Sequence, residues 1–259
     1  MRSFLVLAVI GFTLSGCNPG GREAARLRDA CESGEATACQ AFGLKLQRGE
    51  YVLRDQARAA GLFARACEGG VADGCVRLGV RLEDGDEVDK DVERAAGLYR
   101  QGCDGGALEG CSRLGTLYRK GTGVTEDLAR AADLFERACA GEVIAACLEL
   151  GRLYAAGGGV TQDPARAATL YKRVCDADER AGCFQLASMY VGGEGVAQDL
   201  AQAAALYDLA CDERHAEACY SLGVLHQNGT GIPRDPARAA ALIRRACRLG
   251  YSQACPRES

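Results

Sequence analysis

Apolar and small side chains recur along this chain at helical spacing, in a pattern that repeats every 36 residues between Cys31 and Cys255. Cysteines occur in pairs eight residues apart, such as Cys31 and Cys39. Counted from the second cysteine of each pair as position 0, positions 0, 3, 7 and 10 share one face of an α-helix. Position 10 is glycine in every repeat, and glycine commonly ends a helix. The pattern predicts an amphipathic helix, named helix A, in each repeat. The closing glycines are Gly49, Gly85, Gly121, Gly157, Gly193 and Gly229.

A second helix, named helix B, is predicted after a short loop in each repeat. It begins with an aspartate, whose carboxylate can accept amide protons of the first helical turn. Two of these aspartates, Asp163 and Asp235, precede proline, which suits the first helical position because it has no amide proton. The motif Arg-Ala-Ala-x-Leu-Phe/Tyr usually follows, as at 130–135. The six aspartates are Asp55, Asp91, Asp127, Asp163, Asp199 and Asp235.

The uninterrupted period predicts the domain organisation. A leading B-like helix at 21–31 precedes six helical hairpins, and a short stub at 248–259 follows them. Such a period is typical of stacked identical units, so we predict an all-α fold, an α/α solenoid over residues 17–259 with no second type of domain. The six repeats span about 36–67, 72–103, 108–139, 144–175, 180–211 and 216–247.

The two cysteines of each of the seven pairs are eight residues apart. In one continuous helix they would lie about 12 Å apart, beyond the roughly 7 Å that a disulfide allows between Cα atoms. The chain must therefore turn between them, and glycines such as Gly69 and Gly70 suit this turn. We predict bridges that join the end of each helix B to the next helix A. The pairs are Cys31–Cys39, Cys67–Cys75, Cys103–Cys111, Cys139–Cys147, Cys175–Cys183, Cys211–Cys219 and Cys247–Cys255.

Zinc binding and thiol redox chemistry are the competing uses of paired cysteines. The separation exceeds the usual zinc-ligand spacing, and the only histidines are His215 and His226. No Cys-x-x-Cys motif occurs. We therefore expect structural disulfides, no metal ion and no cofactor.

The N-terminal residues resemble a bacterial lipoprotein signal. The apolar run 4–14 is too short to span a bilayer as a mature helix, and it leads into Leu14-Ser15-Gly16-Cys17, which resembles a lipobox. We expect residues 1–16 to be a signal peptide and lipidated Cys17 to anchor the protein. Asn18 is not the aspartate of an inner-membrane retention signal, which favours the outer membrane, on its periplasmic or outer side. A secreted protein is the alternative.

Composition agrees with export and argues against nucleic acid as a partner. Fifteen cysteines among 259 residues indicate an oxidising compartment. The pairs use fourteen of them, and Cys17 is the remaining one. The formal net charge of −4 gives no basic field that would attract DNA or RNA.

The repeat resembles a known family. The residues from Leu114 to Ala132 are similar to the Sel-one-like repeat, a relative of the tetratricopeptide repeat, and the paired cysteines resemble the cysteine-rich Hcp beta-lactamase family of bacteria. Tyr51 and Glu87 replace the second loop glycine of the motif, so we expect those two loops to differ in shape. The resemblance implies a solenoid of helical hairpins wound into a right-handed superhelix, and also penicillin binding and beta-lactam hydrolysis.

The residues give that hydrolysis little mechanistic support. A serine mechanism of the usual kind needs Ser-x-x-Lys. None of the examined serines has lysine three residues later: Ser33, Ser112, Ser188, Ser221 and Ser252. Two histidines are also too few for a typical zinc site. We therefore favour a non-enzymatic scaffold and keep beta-lactam binding or hydrolysis as the alternative.

Variable positions of helix A form the candidate binding surface. Positions 2, 5 and 9 lie opposite the apolar face, and in related repeat folds helix A lines the concave side. We predict that Arg77, Arg113 and Arg152 contact anionic groups there, and that Phe184 and Tyr220 are apolar anchors. The expected partner is an envelope protein or peptide, or a cell-wall fragment; ordinary solvated helix residues are the alternative. Three tyrosines at position 7 are assigned to the core: Tyr118, Tyr154 and Tyr190.

Overall fold

The structure is a computed structural model that describes residues 19–85, 88–212 and 214–255. Over these ranges the chain forms thirteen α-helices and one short 3-10 helix, with no strand. The all-α solenoid prediction is confirmed. The α-helices, α1 to α13 in chain order, are Pro19–Glu32, Ala36–Arg48, Gln56–Glu68, Ala72–Asp84, Val92–Asp104, Leu108–Lys120, Leu128–Ala140, Ile144–Ala156, Pro164–Asp176, Arg180–Gly192, Leu200–Asp212, Ala216–Asn228 and Pro236–Arg248.

The even-numbered helices from α2 to α12 are the predicted A helices, and the odd-numbered helices from α3 to α13 are the B helices. The leading helix α1 begins at Pro19, two residues before its predicted start. At the other end, the predicted stub forms the 3-10 helix Ser252–Ala254. The predicted signal peptide and Cys17 lie outside the described residues.

The chain divides into two compact units, residues 1–90 and 91–259. In the first unit, α1 to α4 pack in chain order, each against the next. In the second unit, α5 to α13 do the same, and the 3-10 helix packs against α13. Each unit therefore has the neighbour-to-neighbour packing that a repeat sequence predicts.

Aspartate starts every B helix from α3 to α13, as the sequence predicts. Its carboxylate accepts a hydrogen bond from the amide three residues later, with distances of 2.8–2.9 Å. In five repeats the aspartate amide itself donates to the carbonyl of position 7 in the preceding A helix, as Asp127 does to Tyr118. The loop between the two helices is thus held at its end by one residue.

The closing glycine of each A helix has a left-handed backbone, with φ between 64° and 74°. Its amide donates to the carbonyl four residues back, as from Gly121 to Leu117. Residues other than glycine rarely adopt this conformation, which explains why this position never varies.

All seven predicted disulfides are present. Their Cα atoms lie 4.5–4.9 Å apart. Each bridge joins the last turn of a helix B, or of α1, to the first turn of the following helix or, at Cys255, to the end of the 3-10 helix. The predicted turn between the paired cysteines also occurs, because one residue in each of these turns has positive φ. That residue is Gly34, Gly70, Gly106, Glu142, Asp178, Arg214 or Gly250.

The expectation of a different first loop is wrong at Tyr51. Tyr51 has φ of 61°, close to the 69–73° of the glycines that occupy this loop position in later repeats. Those glycines touch the first turn of the preceding B helix, and a Cβ on Gly159 would lie 2.2 Å from Leu128. In the first repeat the loop residue is the large one and the helix residue is the small one, because the Tyr51 ring lies against Gly20 of α1. The loop therefore keeps its backbone shape. Glu87 lies outside the described residues.

Candidate interaction surface

Each A helix has constant positions that are buried and variable positions that are partly or fully exposed. Positions 0 and 3 are buried in all six A helices, whereas no residue at positions 2, 5 or 9 is buried. The variable positions also change in chemistry along the chain, from Arg113 in α6 to Ser221 in α12. These three positions, together with position 1 in the repeats where that residue is not buried, define the A-helix surface.

The three predicted arginines lie on the A-helix surface, and each pairs with a carboxylate of its own helix. Arg77 lies 2.7 Å from Asp73, and Arg113 lies 3.0 Å from Glu109. Both pairs are at spacing i, i+4, where side chains of one helix meet. Because all four side chains are partly exposed, these pairs stabilise the helices weakly. They present a paired positive and negative charge instead of an isolated cation.

Arg152 belongs to a network of three charges. It lies 2.6 Å from Glu149, and Arg119 of the preceding A helix lies 3.1 Å from the other oxygen of that carboxylate. Glu149 is the most buried member, with 19% of its side chain exposed. The network connects α6 to α8 and carries one net positive charge. Glu149 and Arg152 lie on the A-helix surface, whereas Arg119 is at position 8, beside it, and was not identified from the sequence.

The two predicted aromatic anchors repeat one arrangement in successive repeats. Phe184 stacks on His215 with ring centroids 4.6 Å apart, and Tyr220 packs on Tyr251 at 5.1 Å. Phe184 and Tyr220 are at position 1, while His215 and Tyr251 precede the next helical segment. All four rings are partly exposed. We call these four residues the aromatic row; they offer a partner preformed apolar contacts.

His215 also begins α12, because its Nδ1 atom accepts a hydrogen bond from the amide of Ala218 at 3.3 Å. No other A helix has a side-chain cap at this position. Burial lowers the pKa of His215, while nearby Glu217 opposes that change. A neutral imidazole is required for this cap, since a protonated one has no acceptor.

The tyrosines at position 7 differ from one another despite sharing a place in the repeat. Tyr118 and Tyr154 are buried, as predicted, but Tyr190 is only partly buried. The Tyr118 hydroxyl accepts hydrogen bonds from Arg100 at 2.9 Å and Arg130 at 3.4 Å. These bonds, led by that from Arg130, lower the pKa of Tyr118, whereas burial raises the pKa of Tyr171 to about 12.

Arg100 was not identified from the sequence as a functional candidate. The signal that could have found it is the comparison of residues nine positions after the helix-B aspartate. They are Ala64, Arg100, Glu136, Lys172, Asp208 and Arg244, so the charge of this position changes sign from repeat to repeat. A position that varies in this way does not serve the common scaffold.

Serine and cysteine side chains with possible catalytic roles have structural partners. The hydroxyl of Ser188 donates to the carbonyl of Phe184 or shares a hydrogen bond with the Tyr207 hydroxyl, and Ser112 is buried. All fourteen cysteines of the described ranges are in disulfides. Within those ranges, no group of three histidine, cysteine or acidic side chains could hold a metal ion.

Beta-lactam hydrolysis stays a hypothesis from the resemblance alone. We expect the purified, oxidised protein to hydrolyse nitrocefin no faster than a heat-inactivated sample does. Nitrocefin hydrolysis by the native sample that is absent from the heat-inactivated one would establish an enzyme. Its active site would then differ from the Ser-x-x-Lys type.

The model of the Sel1 repeat matches six consecutive segments, which are 42–71, 72–106, 108–142, 144–179, 180–215 and 216–251. The chain belongs to the Sel1 repeat family. Sel1 repeats form helical solenoids that typically act as scaffolds for protein interactions. The resemblance to the Sel-one-like repeat is therefore confirmed.

Two solved structures support the fold, and a third is similar over a smaller part of this chain. A Sel1 repeat protein from Oxalobacter formigenes is 21% identical, with a TM-score of 0.74 over 88% of this chain and 97% of that chain. A protective antigen of uropathogenic Escherichia coli is 24% identical, with a TM-score of 0.57 over 89% of this chain, which spans only 57% of the antigen. Cysteine-rich protein B of Helicobacter pylori is 28% identical, with a TM-score of 0.41 over 48% of this chain and 94% of that chain.

No curated protein matches the sequence significantly. In the part of this Sel1 protein that the structure describes, no helix is both long enough and apolar enough to cross a bilayer.

Proposed function

We propose that the protein is a lipoprotein of the bacterial envelope that binds another protein or a peptide through its A-helix surface. The observation that carries this proposal is the division of each A helix into buried constant positions and variable positions that are partly or fully exposed. A scaffold needs only the constant positions. The variable ones are therefore available for recognition.

The chemistry of the surface indicates the kind of partner. Arg113 and the Arg119–Glu149–Arg152 network offer hydrogen-bond donors that suit acidic side chains. The aromatic row lies in later repeats and offers rings that suit apolar side chains. An extended segment with an acidic part and an apolar part would match this order. A cell-wall fragment could satisfy the arginines but would use the rings less well.

A capture experiment with the oxidised protein and an envelope extract tests this proposal. Arg77→Glu, Arg113→Glu and Arg152→Glu are combined in one variant, and the recovered proteins are compared with those of the unchanged chain. We expect the main partner to be lost. Unchanged recovery would remove these arginines from the interface.

The ion pairs provide a matched control for that variant. Each arginine-to-glutamate change places two carboxylates one helical turn apart, which destabilises the helix. A second variant combines Asp73→Arg with Arg77→Glu and Glu109→Arg with Arg113→Glu, so that each pair is kept but reversed. Loss of the partner from this variant, with an unchanged melting temperature, supports recognition by the arginines and excludes simple unfolding.

Envelope anchoring is a separate part of the proposal and has its own test. Cys17 is the cysteine without a place in the repeat, and a lipid on this residue would hold the protein at a membrane surface. We expect metabolically supplied palmitate to label the protein and Cys17→Ser to move it from the membrane fraction to the soluble fraction. Equal membrane association of both forms would contradict lipid anchoring.

A further inference from the structure

Arg100, Tyr118 and Arg130 form a polar cluster that neither the fold nor the A-helix surface explains. They line a cavity of about 570 Å³ between helix α5, helix α6 and the loop before α7. A neighbouring cavity of about 350 Å³ shares the same three side chains and extends past Leu114 and Leu134. Both arginines are exposed, although the phenol to which they donate is buried.

Equivalent positions in other repeats show what is different here. At Tyr154 the residue that corresponds to Arg100 is Glu136, which forms an ion pair with Arg166 at 2.5 Å. At His226 the corresponding residue is Asp208, which pairs with Arg238 at 3.1 Å. In these two repeats, the place that corresponds to Arg100 is therefore taken by a carboxylate that is paired with an arginine.

At Tyr118 the carboxylate is replaced by Arg100, so two guanidinium groups converge on one hydroxyl. Among the described residues, none pairs a carboxylate with Arg100. Asp104 is on the same helix but lies 4.0 Å from Arg137. Arg130 is paired with Asp127 at 3.1 Å, which leaves part of its guanidinium available. Arg100 thus adds a positive charge where the other two repeats have a negative one.

We propose that this cluster is a binding site for a single carboxylate group with a short apolar tail. The carboxylate would lie between Arg100 and Arg130 and accept a hydrogen bond from the Tyr118 hydroxyl. This hydrogen bond is possible because both arginines donate to the hydroxyl oxygen and leave its O–H free to donate. Glu93, Glu126 and Asp127 also line the cavity. They disfavour a second negative charge on the ligand, which argues against a phosphate dianion.

Another repeat offers an internal control. Lys172, Tyr190 and Gln202 line a cavity of about 270 Å³ at the corresponding place, two repeats later. There the cation is already paired, since Lys172 lies 2.6 Å from Asp176. Gln202 also replaces the second arginine. The same backbone cavity therefore lacks the two available guanidinium groups, and it should not bind the carboxylate.

The test is a titration of the full chain with its disulfides intact, in which the arginine side-chain N–H signals are followed by NMR. The probes are hexanoate, its neutral analogue hexanamide, and inorganic phosphate. We expect saturable shifts for Arg100 and Arg130 with hexanoate only. The absence of saturable shifts, equal shifts with hexanamide, or tighter binding of phosphate would each overturn the proposal.

Three variants locate the site. Arg100→Glu recreates the ion pair found at Tyr154, so it should fold and bind hexanoate at least about tenfold more weakly. Arg100→Gln should weaken binding similarly without adding a negative charge. Lys172→Glu makes the same charge change as Arg100→Glu in the control cavity and should leave binding unchanged. Equal affinity in Arg100→Glu, or an equal loss in Lys172→Glu, would refute the assignment.

A gain-of-function variant tests the sufficiency of the two arginines. Glu136→Arg places a second guanidinium beside Arg166, which already lies 4.4 Å from the centre of the Tyr154 ring. We expect a second saturable site, reported by the Arg166 signal. If Arg166 does not respond, a guanidinium pair at the tyrosine is insufficient and the proposal is wrong.

Discussion

At the scale of single residues, position 4 of helix A shows how one side chain sets the distance between two helices. Gly151 faces the ring of Tyr171 on the following helix B, and a Cβ at this position would lie 2.6 Å from that ring. Gly115 faces Phe135 in the same way. The glycine therefore serves close packing, because its own φ is not positive.

Replacement of this glycine should destabilise the protein, whereas replacement of an uncrowded helical glycine should not. We expect Gly151→Ala to lower the free energy of unfolding by about 1–3 kcal/mol, since the buried ring must move. Gly61→Ala is the control, because nothing lies within 4 Å of its Cβ position. It should raise the free energy of unfolding by about 1 kcal/mol through helix propensity. Denaturant unfolding of both variants measures this difference, and equal changes would contradict the packing argument.

The cap of α12 makes stability depend on pH through His215. The folded state holds the pKa of His215 below the ordinary value of about 6.5, so the folded protein resists protonation more than the unfolded chain does. The contribution of neutral His215 is complete above that ordinary value and is lost as pH falls through the lowered pKa. We expect the melting temperature to fall as the solution is acidified from pH 7 to about pH 5.

His215→Asn isolates this effect, because asparagine can also cap a helix but does not titrate. The variant should lose part of the pH dependence over the same range. An unchanged pH profile would show that other groups cause the decline.

At the scale of helices, each disulfide acts on the two helices that it joins. The chain-entropy model gives about 2.5 kcal/mol for the loop between paired cysteines. Because repeats contact mainly their neighbours, we expect removal of Cys139 and Cys147 by alanine substitution to reduce amide protection mainly in α7 and α8. Removal of Cys211 and Cys219 should move that loss to α11 and α12. Hydrogen exchange with mass spectrometry resolves the two cases, and a uniform loss in both would refute local action.

Much of the helical order was predictable because it depends on residues close in sequence. The capping aspartates, closing glycines and disulfides all act within a few turns of chain. The ion-pair partners of Arg77 and Arg113 were also predictable from the sequence, since Asp73 and Glu109 precede them by four residues. The stacking of Phe184 on His215 was not, because it joins residues that are far apart in the sequence. Arg100 was missed because Tyr118 was interpreted only as a core residue.

At the scale of the whole molecule, the two compact units use the same repeat for a common scaffold and differ in their exposed residues. Loop residues show that the scaffold also tolerates exceptions. Glu142, Asp178 and Arg214 adopt positive φ at a turn where the other four copies have glycine. Such residues are strained by roughly 1–2 kcal/mol, which the adjacent disulfide can offset. The repeat thus preserves its backbone while its surface changes.

The most direct test of the central claim is site-specific photo-crosslinking in intact cells. A photoreactive phenylalanine analogue replaces Tyr220 on the A-helix surface and, as the control, Asp208 of helix B, whose side chain is 44% exposed. The account predicts a discrete crosslinked protein from position 220 and none from position 208. Equal crosslinking from the two positions, or none from position 220 in a folded and exported protein, would contradict recognition through the A helices.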